Sequence, residues 1–277
     1  MPYLVVKDGT KIYYEDTGKG ETVLIIHGLG SSHLKLRNFI NEFRKESNFR
    51  CVCYDHRGHE SSDKPKLHLN VQTLAQDLNE LIEYLDLKDI TIIGHSMGAA
   101  TIFNYINQFG TSRLKRLVCV DMSPYLSNNG WKGGLAQGKW TNEDLMCDLD
   151  RIFDDIGYAN WYISKESMNP ELKKIPKDFE GPMIESIRST SDPLVMAGFW
   201  FSLFRTDQRP YIKKIDKPFL YIMPDFPLYS METVNFYKNN ITGKFTLDNN
   251  FPKTTHMILM EKPHEVAESV KKFMKSN

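Results

Sequence analysis

Gly94-His95-Ser96-Met97-Gly98 follows the mostly apolar run Asp89-Ile90-Thr91-Ile92-Ile93. Gly-x-Ser-x-Gly between a strand and a helix is the arrangement that lifts a serine hydroxyl above a sheet on a sharp, strained turn. The glycines leave room where a β-carbon would strike neighbouring backbone. The helix that follows, with Ala99 and Ala100 in its first turn, points unpaired N–H groups at the reacting atoms. A hydroxyl is a weak nucleophile at neutral pH, so it needs a base and a group that orients the base. Of the eight histidines, His256 has the position for the base. It lies in PKTTHMILMEKPHEV, after the last strand pattern and before the closing helix, which predicts a loop at the carboxyl edge of the sheet. His33, His56, His59, His68 and His264 read as surface or satisfied core residues, and His95 as a neighbour packed beneath the turn. A third element, His27-Gly28-Leu29-Gly30-Ser31-Ser32, follows the run TVLII and can face backbone amides toward a developing oxyanion. The expected pair is the amides of Leu29 and Met97. Together these residues would attack a carbonyl and hold the resulting negative charge.

The elements that must position them are also legible. TVLIIHG, FRCVCYD, ITIIGHS, RLVCVD and PFLYIM are continuous apolar runs, as expected of strands covered on both faces. YLVVKDGTKIYYEDTG predicts an antiparallel hairpin turning at Asp8-Gly9, where Asp-Gly would supply the positive-φ residues of a tight turn. Val71, Leu74, Leu78, Leu81, Ile82 and Leu85 recur at helical steps behind the N-cap candidate Asn70. LKLRNFINEFRKE, MGAATIFNYINQF (stopped by Gly110) and EVAESVKKFM read the same way. Alternating strands and helices predict an α/β fold, a mostly parallel sheet flanked by helices. The rhythm breaks between about Tyr125 and Tyr211, where large apolar residues (Trp131, Trp140, Trp161, Met183, Met196, Phe199, Trp200, Phe204) alternate with Pro170, Pro176, Pro182 and Pro193. This predicts short helices inserted into the sheet domain, so that residues 1–124 and 212–277 form the core and 125–211 a helical cap. Met196, Phe199, Trp200 and Phe204 have the spacing of one helical face.

The composition sets outer limits. With 277 residues, 41% of them hydrophobic, the chain can build one sizeable core. Lys+Arg and Asp+Glu are both 35, so neither nucleic acid nor an anionic membrane is the expected partner. Lys271-Lys272 reads as the solvated face of a terminal helix. The start of the chain has neither a secretory pattern nor an apolar stretch of bilayer-spanning length. Cys51, Cys53, Cys119 and Cys147 have no metal-ligand spacing and read as reduced core thiols of a cytoplasmic protein.

On GHSMG, HGLGSS and THMILMEKPHEV the chain resembles the alpha/beta-hydrolase superfamily, from the hairpin to the last helix. YDHRGHESSDKP resembles that family's Asp-x-Arg-Gly-x-Gly-x-Ser loop, with Glu60 where the second glycine usually stands and a local change of backbone expected there. The resemblance implies an eight-stranded sheet. It also implies an acid to complete the site, normally after the strand reading PFLYIM. Aligned on Leu228, that slot holds Phe226, and Asp225 is one residue early between Pro224 and Pro227. Asp121, at the end of RLVCV, is the favoured acid and Asp225 the alternative. VDMSP with Trp131, Gly133-Gly134 and Leu135 resembles the cofactor-free haloperoxidase and esterase group, whose members act chiefly on carboxylic esters without a metal or an organic cofactor. The implied activity is a serine hydrolase acting on a small apolar acyl substrate through an acyl-enzyme, as a monomer or homo-oligomer. The same scaffold also hosts perhydrolases, lactonases, thioesterases, C–C hydrolases and small-molecule receptors. Ser96 in place of an Asp nucleophile disfavours dehalogenase and epoxide-hydrolase chemistry.

Overall fold

The computed structural model describes residues 2–168, 180–182, 184, 185, 188 and 192–277. Met183, Pro170 and Pro176 therefore lie outside the described residues. Eight strands form one sheet in the order β1-β2-β4-β3-β5-β6-β7-β8: β1 (Tyr3–Val5), β2 (Lys11–Gly18), β3 (Glu21–Ile26), β4 (Phe49–Tyr54), β5 (Ile90–His95), β6 (Leu114–Val120), β7 (Phe219–Ile222) and β8 (Phe245–Asp248). The β1–β2 and β2–β4 pairings are antiparallel and the remaining five are parallel.

The continuous apolar runs arise because each strand feeds two cores. Leu24, Ile26, Val52, Tyr54, Ile92, Leu117 and Cys119 face one side, with α2 (Val71–Tyr84) and α3 (Met97–Phe109). Val23, Ile25, Cys51, Cys53, Ile93, Val118 and Val120 face the other, with α1 (Arg37–Arg44) and the terminal helix Pro263–Lys275. Strands that alternate sides at every residue and meet helices on both have no polar face to show. Asn70 caps α2 by accepting from the Thr73 amide at 2.9 Å.

Between β6 and β7 the chain leaves the sheet. A turn at Leu135–Gly138 passes through left-handed residues Ala136 and Gln137, followed by α4 (Asn142–Asp154), α5 (Ile156–Ile163) and α6 (Pro193–Arg205). Thr141 and Asp144 form a reciprocal capping box at the start of α4. After β7 come α7 (Met231–Asn240) and, beyond β8, α8 (Pro263–Lys275).

Three local expectations need correcting. In the first hairpin only Gly9 has positive φ, and the loop closes through Val6–Thr10 bonds, so the connection is wider than a two-residue turn. Cys147 is exposed on α4, whereas the other three cysteines are buried. Lys271 is buried and holds Glu46 and Glu268 at 2.5 and 3.0 Å, and so belongs to the interior of the α1–α8 contact. Glu60 has φ 37°, so it takes the left-handed conformation that a glycine would adopt without strain. Among the described residues no helix is long and apolar enough to cross a membrane.

Candidate active site

Ser96 sits between the last residue of β5 and the first of α3, with φ 54° and ψ −122°. A non-glycine residue is held there only when its surroundings over-determine it, and three glycines do so. A β-carbon on Gly94 would come within 2.5 Å of the Ala99 nitrogen, and one on Gly98 would collide with the Ile26 carbonyl oxygen. One on Gly28 would lie 3.0 Å from the Ser96 β-carbon, so the HGLG loop is laid directly against the serine. Backbone crowding therefore fixes the bend.

His256 is buried between β8 and the terminal helix. Its Nδ1 lies 2.8 Å from Asp121 Oδ2. Asp121 follows β6 with φ 41°, is fully buried, and accepts a second hydrogen bond on the same oxygen from the Leu228 amide at 3.3 Å. Its other oxygen has no partner among the described residues. Asp225 lies elsewhere: it is exposed, and its carboxylate accepts from the Lys253 amide at 2.9 Å. The bends that hold Pro224–Pro227 against Thr254 turn that side chain outward. The backbone of Leu228, the residue that anchors the usual acid loop, thus meets a carboxylate from β6.

His95 is buried beneath the turn, its ring 4.6 Å from that of His256. Its Nε2 donates to the His256 carbonyl at 2.7 Å, which fixes the proton on Nε2. Burial, and then the neighbouring His256, lower its pKa to about 3, so it is a neutral prop. His27, His56 and His59 form a second group under the HGLG loop. His27 Nδ1 donates to the Gly28 carbonyl and its Nε2 accepts from the His56 amide. His56 Nε2 donates to the His27 carbonyl. His59 Nδ1 donates to the Arg57 carbonyl, leaving Nε2 to accept from the Gly30 amide at 3.1 Å. Burial holds all three pKa values down, that of His59 to about 4. The pattern requires neutral rings, so burial and geometry agree. In the sequence these are scattered histidines, and only their pairing across β3 and β4 gives them this loop-positioning role.

Arg57 of the YDHRGHESSDKP loop is buried and takes both oxygens of buried Asp77 on α2 at 2.6 Å, and Asp8 of the hairpin at 2.6 Å. The loop is thereby tied to α2 and to the first strands.

Ser96, His256, Leu29 and His95 line one cavity. The amides of Leu29 and Met97 have no acceptor among the described residues, as anion-binding donors require. Most of the lining from the segment between β6 and β7 is apolar, including Leu126, Leu135, Ile152, Met196, Trp200 and Leu203, with Asn160 and Ser164 as polar members. Of the four residues expected on one face of α6, all are buried, but only Met196 and Trp200 reach the cavity. Lys35 sits at its rim and donates to the Gly30 carbonyl at 2.8 Å. Among the described residues no three His, Cys, Asp or Glu side chains converge to hold a metal ion.

A strained serine at a strand–helix junction, under an eight-stranded and mostly parallel sheet edge, defines the class: an alpha/beta hydrolase. The family model for the alpha/beta hydrolase fold matches residues 21–263, and the chain belongs to that family. Among sequence relatives, Non-heme chloroperoxidase CPO-A1 from Kitasatospora aureofaciens is 33% identical over 124 residues, 45% of each chain. The chain thus aligns with about half the length of this relative. Among solved structures, an esterase from Exiguobacterium antarcticum superposes with a TM-score of 0.84 at 22% identity, covering 99% of this chain and 98% of its own. A bromoperoxidase from Bacillus anthracis gives 0.80 at 23%, covering 97% of both.

Proposed function

We propose that this protein is a serine esterase that cleaves small carboxylic esters with an apolar acyl group through an acyl-enzyme. The observation that carries the reading is the 2.8 Å contact between His256 Nδ1 and buried Asp121, in a cavity shared by His256 and strained Ser96. Asp121 holds the imidazole with its proton on Nδ1, so that Nε2 is the free base. His256 takes the Ser96 proton as Oγ attacks the ester carbonyl. The Leu29 and Met97 amides receive the oxyanion, and His256 returns the proton to the leaving alcohol. Water, activated by the same ring, then releases the acid and frees Ser96. Among the described residues Asp121 has one oxygen without a partner and one weak amide bond besides His256, so its negative charge is directed mainly at the imidazolium that forms. The segment 125–211 acts as the cap that supplies the acyl pocket, and the apolar wall supports an acyl chain over a sugar or phosphate.

Perhydrolysis, the activity suggested by the names of the haloperoxidase relatives, is the second reading. One feature of the cavity disfavours it: Met122, Met196, Met257 and Met260 line the space around Ser96. A peracid made there would meet thioethers, which it oxidises to sulfoxides as it is reduced to the carboxylic acid. The test is an ester, thioester and lactone panel with wild type and Ser96→Ala, alongside labelling by a fluorophosphonate. Multiple turnover on esters that disappears in Ser96→Ala supports the esterase. Labelling of Ser96 with a single slow turnover supports a sensor, and no labelling at all overturns the reading.

A further inference from the structure

Asp148 is fully buried in the middle of α4, yet nothing in the proposed chemistry uses it. A buried carboxylate is costly unless it is paired and hydrogen-bonded. Asp148 gathers two unusual donors: Trp140 Nε1 at 2.8 Å and Trp200 Nε1 at 3.0 Å, both on Oδ2. Its Oδ1 meets Arg151 at 3.3 Å, and that guanidinium lies over the Tyr162 ring at 4.0 Å.

The three segments joined at this carboxylate each present a residue to the cavity. Leu135 belongs to the turn that leads into Trp140. Ile152 is one helical turn beyond Asp148 on α4. Met196, Trp200 and Leu203 come from α6. Trp200 is itself wall, while Trp140 stands behind the wall, tilted against Tyr162 at 6.5 Å. An indole pinned at its nitrogen cannot swing about χ1 without abandoning a buried acceptor, which costs more than an ordinary lost contact.

We propose that Asp148 is a positioning residue that sets acyl specificity: by holding the Trp140 and Trp200 indoles together it fixes the apolar wall of the cavity that Ser96 lines and so limits the length of acyl group the cavity accepts. This inference rests on the esterase reading. Asp148 touches neither the nucleophile nor the carbonyl, so its loss changes which acyl chain is preferred and leaves the activation of Ser96 in place. The buried polar group is kept here for the geometry it enforces, since an apolar residue of similar size would pack α4 against α6 without fixing either indole.

The experiment uses the full chain and compares wild type with Asp148→Asn, Asp148→Leu and Trp200→Phe. kcat/KM is measured on p-nitrophenyl acetate, butyrate, octanoate and decanoate, and the rate of fluorophosphonate labelling at Ser96 is followed in parallel. Asp148→Asn keeps one oxygen that can accept both indoles, so its long-to-short preference stays within about threefold of wild type. Asp148→Leu releases both indoles and Trp200→Phe removes one donor. Each is expected to shift that preference by about tenfold, the scale of a methylene or two in an apolar pocket, with labelling retained. A wild-type preference in Asp148→Leu or Trp200→Phe, with unchanged near-UV circular dichroism, overturns the proposal. If Asp148→Leu does not fold, Trp200→Phe against Asp148→Asn decides. If wild type cleaves none of the esters, the esterase reading fails on its own. The wall is then read in Ser96→Ala backgrounds by quenching of tryptophan fluorescence with butyrate and decanoate. An unchanged ratio of their affinities in Trp200→Phe sinks the inference independently.

Discussion

The two sides of the cavity are built by different means. On the serine side, position is set by backbone: Gly28, Gly94 and Gly98 allow main chains to approach where no side chain fits, and neutral histidines hold the loop carbonyls and amides. On the wall side, position is set by side chains: apolar residues of the turn, α4 and α6, drawn together by one carboxylate. Backbone crowding is unforgiving, because a single added methyl must displace main chain. Side-chain packing adapts, because volume-conserving swaps cost little. A reaction centre made the first way stays constant while a wall made the second way is re-shaped, and the variants below separate the two.

The sharpest separation comes from the nucleophile. Ser96→Ala is expected to lower kcat by about 10⁶, measured under single-turnover conditions on p-nitrophenyl acetate, while acyl-chain binding is unchanged. A loss of less than about tenfold means that the serine side is not the reaction centre. Next comes the acid. Asp121→Asn leaves the packing intact but lets the imidazole take the wrong tautomer, and turnover should fall by about 10⁴. Asp225→Asn should stay within about twofold, as expected for an exposed group off the reaction path. The reverse result moves the acid to the β7 loop and breaks the assignment to β6.

Much of the serine side was legible in the sequence because its signals are local. Gly94, Ser96 and Gly98 fall within five residues, and the strands feeding two cores must be apolar throughout. What was left open or missed was nonlocal. Whether Asp121 or Asp225 faces His256 depends on where Pro224–Pro227 bends against Thr254, a contact 29 residues away. The histidines at 56 and 59 read as bland because the groups they hold, the His27 carbonyl and the Gly30 amide, lie at another strand end. Asp148 looks like the polar face of an amphipathic helix until Trp200, 52 residues on, closes over it. Lys271 misleads in the same way, since its partner Glu46 lies near the other end of the chain.

A smaller effect probes the backbone crowding itself. Gly28→Ala would place a methyl 3.0 Å from the Ser96 β-carbon and 3.3 Å from the His95 carbonyl, so loop and turn must separate. A displacement of this kind is expected to cost about 10²-fold in kcat, with a smaller change in KM. Ala99→Gly, which adds no bulk, is the control. If Gly28→Ala retains wild-type kcat, the HGLG loop is not held by contact with the serine, and the contrast between the two sides weakens.

The gentlest test lies on the wall and is a pH dependence. Burial raises Asp148 to about 6, opposed first by the Trp140 and then by the Trp200 hydrogen bonds, with Arg151 favouring the charge and Asp144 opposing it. The folded-state pKa therefore lies above the ordinary value of 3.8, so the unfolded chain releases this proton more readily than the folded one. The group's favourable contribution is complete below about pH 4 and is lost as pH rises through 6. Wild type should thus gain stability relative to Asp148→Asn on going from pH 7.5 to 5, by an amount of order 1 kcal/mol. Paired denaturant titrations of the two proteins at each pH read this difference directly, and titrations common to both cancel. A flat difference across that range means that the carboxylate is solvated rather than sealed behind the indoles. The wall would then owe its shape to apolar packing alone, and acyl preference would follow the volume of residue 200 with no dependence on residue 148.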